Sequence, residues 1–204
     1  EDTFGSTVVI GVSLETDKGS IVTADNIGII DRITTQIAKL DTVKSVDSLT
    51  SIDYIYGKDN ALVAGNLIGV DRGEDGLYPR LTDEQVEKVK ENISSWSDMY
   101  SRVVISDDGR AVQMQITLKS DNHPDPKAKK ESDEVVRQRA LDQIREITNK
   151  ETKDSGLTVI YYGDPVLTEA SKSFMLSDLE SLIPLVVLVV LLTLFFSFKT
   201  LDGT

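Results

Sequence analysis

Apolar and polar positions alternate along this chain in two different periods, and the switches between them mark out the elements. Thr7–Leu14 (TVVIGVSL) is a run rich in β-branched residues and predicts a buried strand, closed by a turn at Asp17-Lys18-Gly19-Ser20. From Asp25 to Leu40 the period becomes helical. Ile29, Ile30, Ile33, Ile37 and Leu40 fall on one side, with Thr23 or Asp25 available as the cap. Val43–Tyr56 returns to extended character, although its apolar residues (Val43, Val46, Leu49, Ile52, Ile55) are three apart rather than two. Asn60–Tyr78 is glycine-rich and predicts a loop holding one short apolar helix. Thr82-Asp83-Glu84-Gln85 has the form of a capping box and should open a helix that runs to about Ser95.

The second half of the chain repeats these themes. Arg102–Ile105 and Ala111–Lys119 flank Asp107-Asp108-Gly109-Arg110 and predict a β-hairpin, with Met114, Ile116 and Leu118 alternating against Gln113, Gln115 and Thr117. Ser120–Lys130 is polar, contains two prolines and reads as an exposed loop. Ser132–Thr152 predicts a long charged helix with Val135, Leu141, Ile144 and Ile147 inward. Leu157–Tyr162 is a strand broken by Gly163-Asp164-Pro165, and Val166–Ser181 is helical and leads directly into a long apolar run. The order strand, helix, strand, inserted helix, hairpin, helix, strand predicts an α+β fold. Two βαβ halves share an antiparallel sheet as a ferredoxin-like sandwich, with an inserted helix and a C-terminal hydrophobic helix. No sequence repeat relates the halves.

The apolar run, Leu182–Phe198 (LIPLVVLVVLLTLFFSF), belongs to neither period, being apolar on all sides without a charge. As a helix it spans roughly 25 Å, and flanking residues extend it toward the hydrocarbon thickness of about 30 Å. Its polar members, Thr193 and Ser197, can bond carbonyls of their own helix. A soluble core helix of this kind would need cover on every side, so the run is read as a membrane span. Lys199 just beyond it fits a cytoplasmic C-terminus, which would leave residues 1 to about 180 outside.

Composition narrows the chemistry. The 204 residues suffice for a real core. A formal net charge of -12 excludes general nucleic-acid binding and disfavours broad docking on anionic lipid. The absence of cysteine removes disulfides, thiol catalysis and thiolate metal sites. No signal peptide is visible and the first residue is not Met, so the chain is expected to be a fragment with any targeting signal upstream. His123, the single histidine, lies in a polar loop, and Asp121, His123 and Asp125 have nothing to fix them as a metal site. Asp107-Asp108-Gly109 lacks the rest of a calcium loop and is better read as a turn. Gly65–Gly76 is neither a dinucleotide nor a Walker pattern. Trp96 and Tyr100 could line a ligand surface but are read as helix-end packing. No catalytic, cofactor-binding or metal-ligating residue is assigned, and no cofactor is expected.

Several segments together resemble the resistance-nodulation-division (RND) superfamily, in its branch of hydrophobe and lipid exporters related to the mycobacterial large membrane proteins. They are Phe4-Gly5-Ser6 before a Val/Ile strand, Val43-x-x-Val46-x-Ser48-Leu49-Thr50-Ser51, and Ser106-Asp107-Asp108-Gly109-Arg110. Tyr162-Gly163-Asp164-Pro165-Val166 and the stretch from Asp178-Leu179 through Pro184-Leu185 to Phe198-Lys199-Thr200 complete the set. Phe-Lys-Thr stands where many members have Phe-Arg-Ser, which keeps a basic residue at the membrane exit. The resemblance implies residues 1–180 as the first periplasmic porter domain of a proton-driven exporter. Residues 181–199 would be the start of its membrane domain and 200–204 a cytoplasmic stub. It further implies a bacterial inner-membrane location, hydrophobic or amphipathic cargo, lipid contact through 182–198, and a second porter domain elsewhere in the same transporter. Proton-relay residues would lie outside this chain, and a homo-oligomer remains open. The alternative is a membrane-anchored extracytoplasmic domain that binds a ligand or a protein as a sensor or adaptor.

Overall fold

In a computed structural model, residues 8–58, 61–95, 104–119 and 133–199 are described. Strand β1 (Val9–Thr16) leads through helix α1 (Ala24–Ala38) to strand β2 (Val43–Asp47). Strands β3 (Asp53–Lys58) and β4 (Ala61–Asn66) and helix α2 (Asp83–Ser95) follow. Strand β5 (Ala111–Leu118), helix α3 (Asp133–Thr152), strand β6 (Leu157–Gly163) and helix α4 (Asp164–Lys199) complete the order. The main sheet has the strand order β2-β5-β1-β6, with every neighbouring pair antiparallel. The unit β1-α1-β2 leaves one slot, which β5 fills. The unit β5-α3-β6 leaves another, which β1 fills. This interleaving is the ferredoxin-like sandwich that the element order predicts.

The core lies between one face of this sheet and the two crossover helices. Ile10, Val12 and Leu14 of β1 and Val112, Met114, Ile116 and Leu118 of β5 alternate inward, as a half-buried sheet requires. They meet Ile27, Ile30, Ile33 and Ile37 of α1 and Ala140, Leu141 and Ile144 of α3. Each of these larger side chains contributes about 1.5–3 kcal/mol by leaving water. The predicted caps are present. Thr23 accepts a bond from Asn26 N–H, while Thr82 and Gln85 exchange the reciprocal bonds of a capping box at 2.9 and 3.3 Å.

Several expectations need correction. The three-residue apolar spacing after Val43 arises because two strands and a turn share that segment. A β-bulge between Val43 and Ser45 sets Val43 opposite Leu118 and Val46 opposite Ile116, so both are buried although three residues apart. The segment expected as a loop with a short helix contains β4, paired in register with β3 from Asp53↔Asn66 to Lys58↔Ala61. A short apolar run does not by itself distinguish helix from strand, and the partner strand just before it decides. Val135, expected inward, is 49% exposed. The buried stripe of α3 is Ala140, Leu141, Ile144 and Thr148, and at 100° per residue Val135 lies about 160° round the helix from it. The expected hairpin is seen as the bridge Ile105↔Val112 around a turn with Gly109 at φ 66°. His123, Asp121, Asp125, Trp96, Tyr100, the loop at 120–130 and the tail at 200–204 lie outside the described residues.

The chain divides into two compact units, one ending at Pro165 and the other beginning at Val166. The second unit is the continuation of α4, an apolar helix long enough to cross a membrane. Its side chains from Leu182 to Phe196 are exposed on every side. Thr193 returns its hydroxyl to Val189 O at 2.8 Å, so no polar group in that turn faces outward unpaired.

Candidate functional site

The first unit gathers its polar side chains along α1. Asp31 is 1% exposed although it sits beside the apolar stripe of Ile27, Ile30 and Ile33. A buried carboxylate at such a place demands partners. The loop after β4 supplies them: Tyr78 N–H donates to Asp31 Oδ2 at 2.8 Å, and Arg72 Nη1 stands 2.7 Å from Asp31 Oδ1. The latter is a charge contact and not an aligned hydrogen bond, because the guanidinium donates elsewhere. Arg72 Nη1 donates to Gly76 O at 2.7 Å and Nη2 to Thr50 O at 2.9 Å. The Tyr78 ring covers the same guanidinium at 4.1 Å. Burial pushes the Tyr78 phenol up, with Arg72 opposing.

One turn further along α1, Thr34 enters a hydroxyl cluster with the turn Ser48-Leu49-Thr50-Ser51. Thr34 donates to Ser48 Oγ at 2.8 Å, Thr50 donates to Thr34 at 3.3 Å, and Ser48 and Ser51 lie 3.2 Å apart. Ser51 closes the turn by donating to Val46 O at 2.7 Å and accepting from Ser48 N–H at 2.9 Å. Leu49 is buried between these hydroxyls. The segment singled out by resemblance is therefore a turn in which the buried hydroxyls of Ser48 and Thr50 bond to Thr34, while the exposed Ser51 ties the turn's backbone, so no hydroxyl buried there goes unpaired.

On another side of α1, Arg32 Nε donates to Glu151 Oε2 of α3 at 2.6 Å and Gln36 donates to Glu151 Oε1 at 2.9 Å. The bond from Arg32 holds the Glu151 carboxyl below the usual carboxylate range, against the opposing effect of its burial. At the hairpin turn, Ser106 and Arg110 bond Asp108 at 2.6 and 2.8 Å and hold it well below that range, Ser106 most strongly. Asp107-Asp108-Gly109 is thus a self-bonded turn. Among the described residues no group of three or more His, Asp or Glu is arranged to hold a metal ion.

Asp31 and Glu151 are engaged in fastening one segment to another, and Asp108 in closing its own turn. Asp31, Arg72 and Tyr78 escaped the sequence reading. The available signal was an aspartate adjoining an isoleucine stripe, while nothing local named Arg72, whose contact with Asp31 spans residues far apart in sequence. Similarity to known proteins extends over nearly the whole chain: a family model described as the MMPL family matches residues 9–201. No curated protein matches it.

Proposed function

The chain belongs to the MMPL family, membrane transporters of the RND type, and from that premise we propose that its first unit is an extracytoplasmic porter domain. In this reading α4 carries the chain through the inner membrane of a bacterium, and residues 1–180 lie on its outer side. The domain works as part of a larger, proton-driven exporter, with a second porter domain and the proton-relay residues supplied by sequence outside this chain. Hydrophobic or lipid-like cargo passes by movement of such domains against one another.

The observation that carries this reading is the joining of two dissimilar parts within one family match: a sandwich fastened by buried polar bonds and a long helix whose residues 182–198 are apolar and carry no charge. A domain that must move as a body needs internal bonds of this kind, and its helix needs no polar face.

This chain holds no cysteine, so once any cysteines elsewhere in the transporter are replaced by serine the topology is directly testable. Single cysteines at Asp108 and at Asp202 are placed in the full-length transporter and treated in intact cells with a membrane-impermeant maleimide. The reading expects label at position 108 only, with label at 202 appearing after permeabilisation. Label at 202 in intact cells, or none at 108, overturns the orientation. Intact export by a full-length protein lacking residues 9–163 would overturn the porter role and leave an anchored binding domain.

A further inference from the structure

Helix α4 runs unbroken for 36 residues, yet it carries a proline in its interior, Pro184. Pro165 sits in the first turn, where a helix has no backbone N–H bond to lose. Pro184 is different. It has no N–H to give to Glu180 O, and its ring crowds that carbonyl. The ladder is therefore open on one side at this turn, and kinks in helices gather at such places. α4 contains no glycine and no other interior proline, so it has one weak turn and no second.

Where that turn lies matters more than its existence. Glu180 is the last charged residue before the apolar run, and Lys199 is the first after it. A carboxylate stays at the level of water and headgroups, so the freed carbonyl of the same residue lies at that level too. Water can then satisfy it whatever angle the helix takes. A proline one turn deeper, in place of Leu188, would free the carbonyl of residue 184 inside the hydrocarbon, where an unpaired polar group is costly. Pro184 thus stands where bending leaves no backbone group stranded. On either side of it α4 is a plain rod. Residues 185–199 span roughly 22 Å and residues 164–183 roughly 30 Å. Gly163 ends β6 and Asp164 begins α4, so no linker stands between the outer rod and its strand to absorb a movement.

We propose that Pro184 is a mobile joint, at which the outer rod of α4 swings while the inner rod stays in the membrane. A bend of about 20°, the onset of a sharp kink, carries the far end of a rod of roughly 30 Å about 10 Å sideways. Through β6 that displacement is delivered to the sheet, which deepens the porter reading by naming where its movement originates. The purpose of the joint rests on that reading. The joint itself rests only on α4 crossing the membrane.

The test uses the full-length transporter in phosphatidylcholine nanodiscs, its other cysteines replaced by serine. Ser173→Cys and Leu191→Cys carry spin labels on either side of the joint. The two positions are about five whole turns apart, so both labels ride on the same side of the helix as Pro184. Pulsed electron resonance reads the distance between them. Without the substitution at 184 the distribution should be broad. It should extend about 3 Å or more beyond the roughly 27 Å of a straight helix, because the proline side opens as the helix bends. Pro184→Ala restores the N–H and should narrow the distribution to one peak near that straight-helix value. A single narrow distance with Pro184 in place overturns the proposal, whether it matches a straight helix or a fixed kink. A broad distribution that Pro184→Ala leaves unchanged overturns it as well. These outcomes leave the maleimide pattern untouched. A failure of the membrane reading shows there instead, as label at both 108 and 202 in intact cells.

Discussion

Replacing Arg72 by Met should release the loop that covers α1 while sparing the sheet beneath it. The substitution keeps much of the apolar stem but removes the donors to Gly76 O and Thr50 O. Hydrogen bonds from a charged donor are worth about 1.5–3 kcal/mol each. It also strands the Asp31 carboxylate, 1% exposed, where breaking a buried pair costs about 3–5 kcal/mol. These contributions overlap, and Arg72 keeps 32% of its side chain in water, so the sum is discounted. The expected loss is about 3 kcal/mol, equivalent to roughly a hundredfold faster exchange wherever the loop opens locally. Asp31→Asn retains an acceptor for Tyr78 N–H and should cost about 1–2 kcal/mol. The double variant should cost less than the two singles together by about 1 kcal/mol or more. Amide hydrogen exchange of the full chain in nanodiscs reads this directly. The amides of Gly73, Gly76 and Tyr78, each bonded within or beneath the loop, should speed up while those of β1 and β5 hold. A change in Arg72→Met below about 1 kcal/mol, or one spread equally over β1 and β5, would refute the reasoning that this guanidinium fastens the loop.

The same geometry has other consequences. The folded pKa of Glu151 lies below its ordinary value, so its stabilising bond to Arg32 is fully present above the carboxylate range and is lost as pH falls through the lowered value. Urea midpoints between neutral and acid pH should therefore fall less steeply in Glu151→Gln than in the wild type. Gly163 has φ 114°, and a Cβ there would meet Val9 O at 2.5 Å; Gly163→Ala should cost about 2–3 kcal/mol in thermal unfolding. Gly109→Ala, at φ 66° with open space around it, should cost only about 1 kcal/mol in the same measurement. Leu188→Arg in α4 should oppose membrane insertion by about 2.5–3.5 kcal/mol, seen as a larger carbonate-extractable fraction.

How much of this was legible in the sequence depended on whether a residue's environment was set by its neighbours along the chain. The helix of Ile29–Ile37, the capping box at Thr82 and the alternation of Met114, Ile116 and Leu118 are local patterns with local causes, and the structure has them. The four-stranded order followed because few topologies accommodate two crossover units around one sheet. The failures are of another kind. β4 was missed because its identity rests on pairing with β3, and Val135 because its helix turns a different face inward than its apolar residues suggested. Asp31 was visible only as an aspartate among isoleucines. The close approach of the Tyr162 ring to Gly11, where a Cβ would fall 2.0 Å from it, was not legible at all, since the two meet only when β6 docks beside β1.

The insertion between β2 and β5 shows why the polar residues of α1 stand where they do. In the simplest version of this fold β2 and β5 would be joined by a hairpin; here residues 48–110 intervene. A long insertion costs little extra closure entropy, but it must be held if it is to move with the domain. Thr34 holds its start through Ser48 and Thr50, and Asp31 holds its middle through Arg72 and Tyr78. Arg80 reaches Asp25 near the beginning of the helix, an exposed pair that adds little energy but continues the same line. The insertion thus runs back along α1 from Thr34 toward Asp25, covering the helix on a side that the sheet cannot reach. That second cover explains why α1 buries Asp31 and Thr34 as well as its isoleucines. It also means that the sandwich and its insertion are joined through α1, so a displacement of that helix carries both.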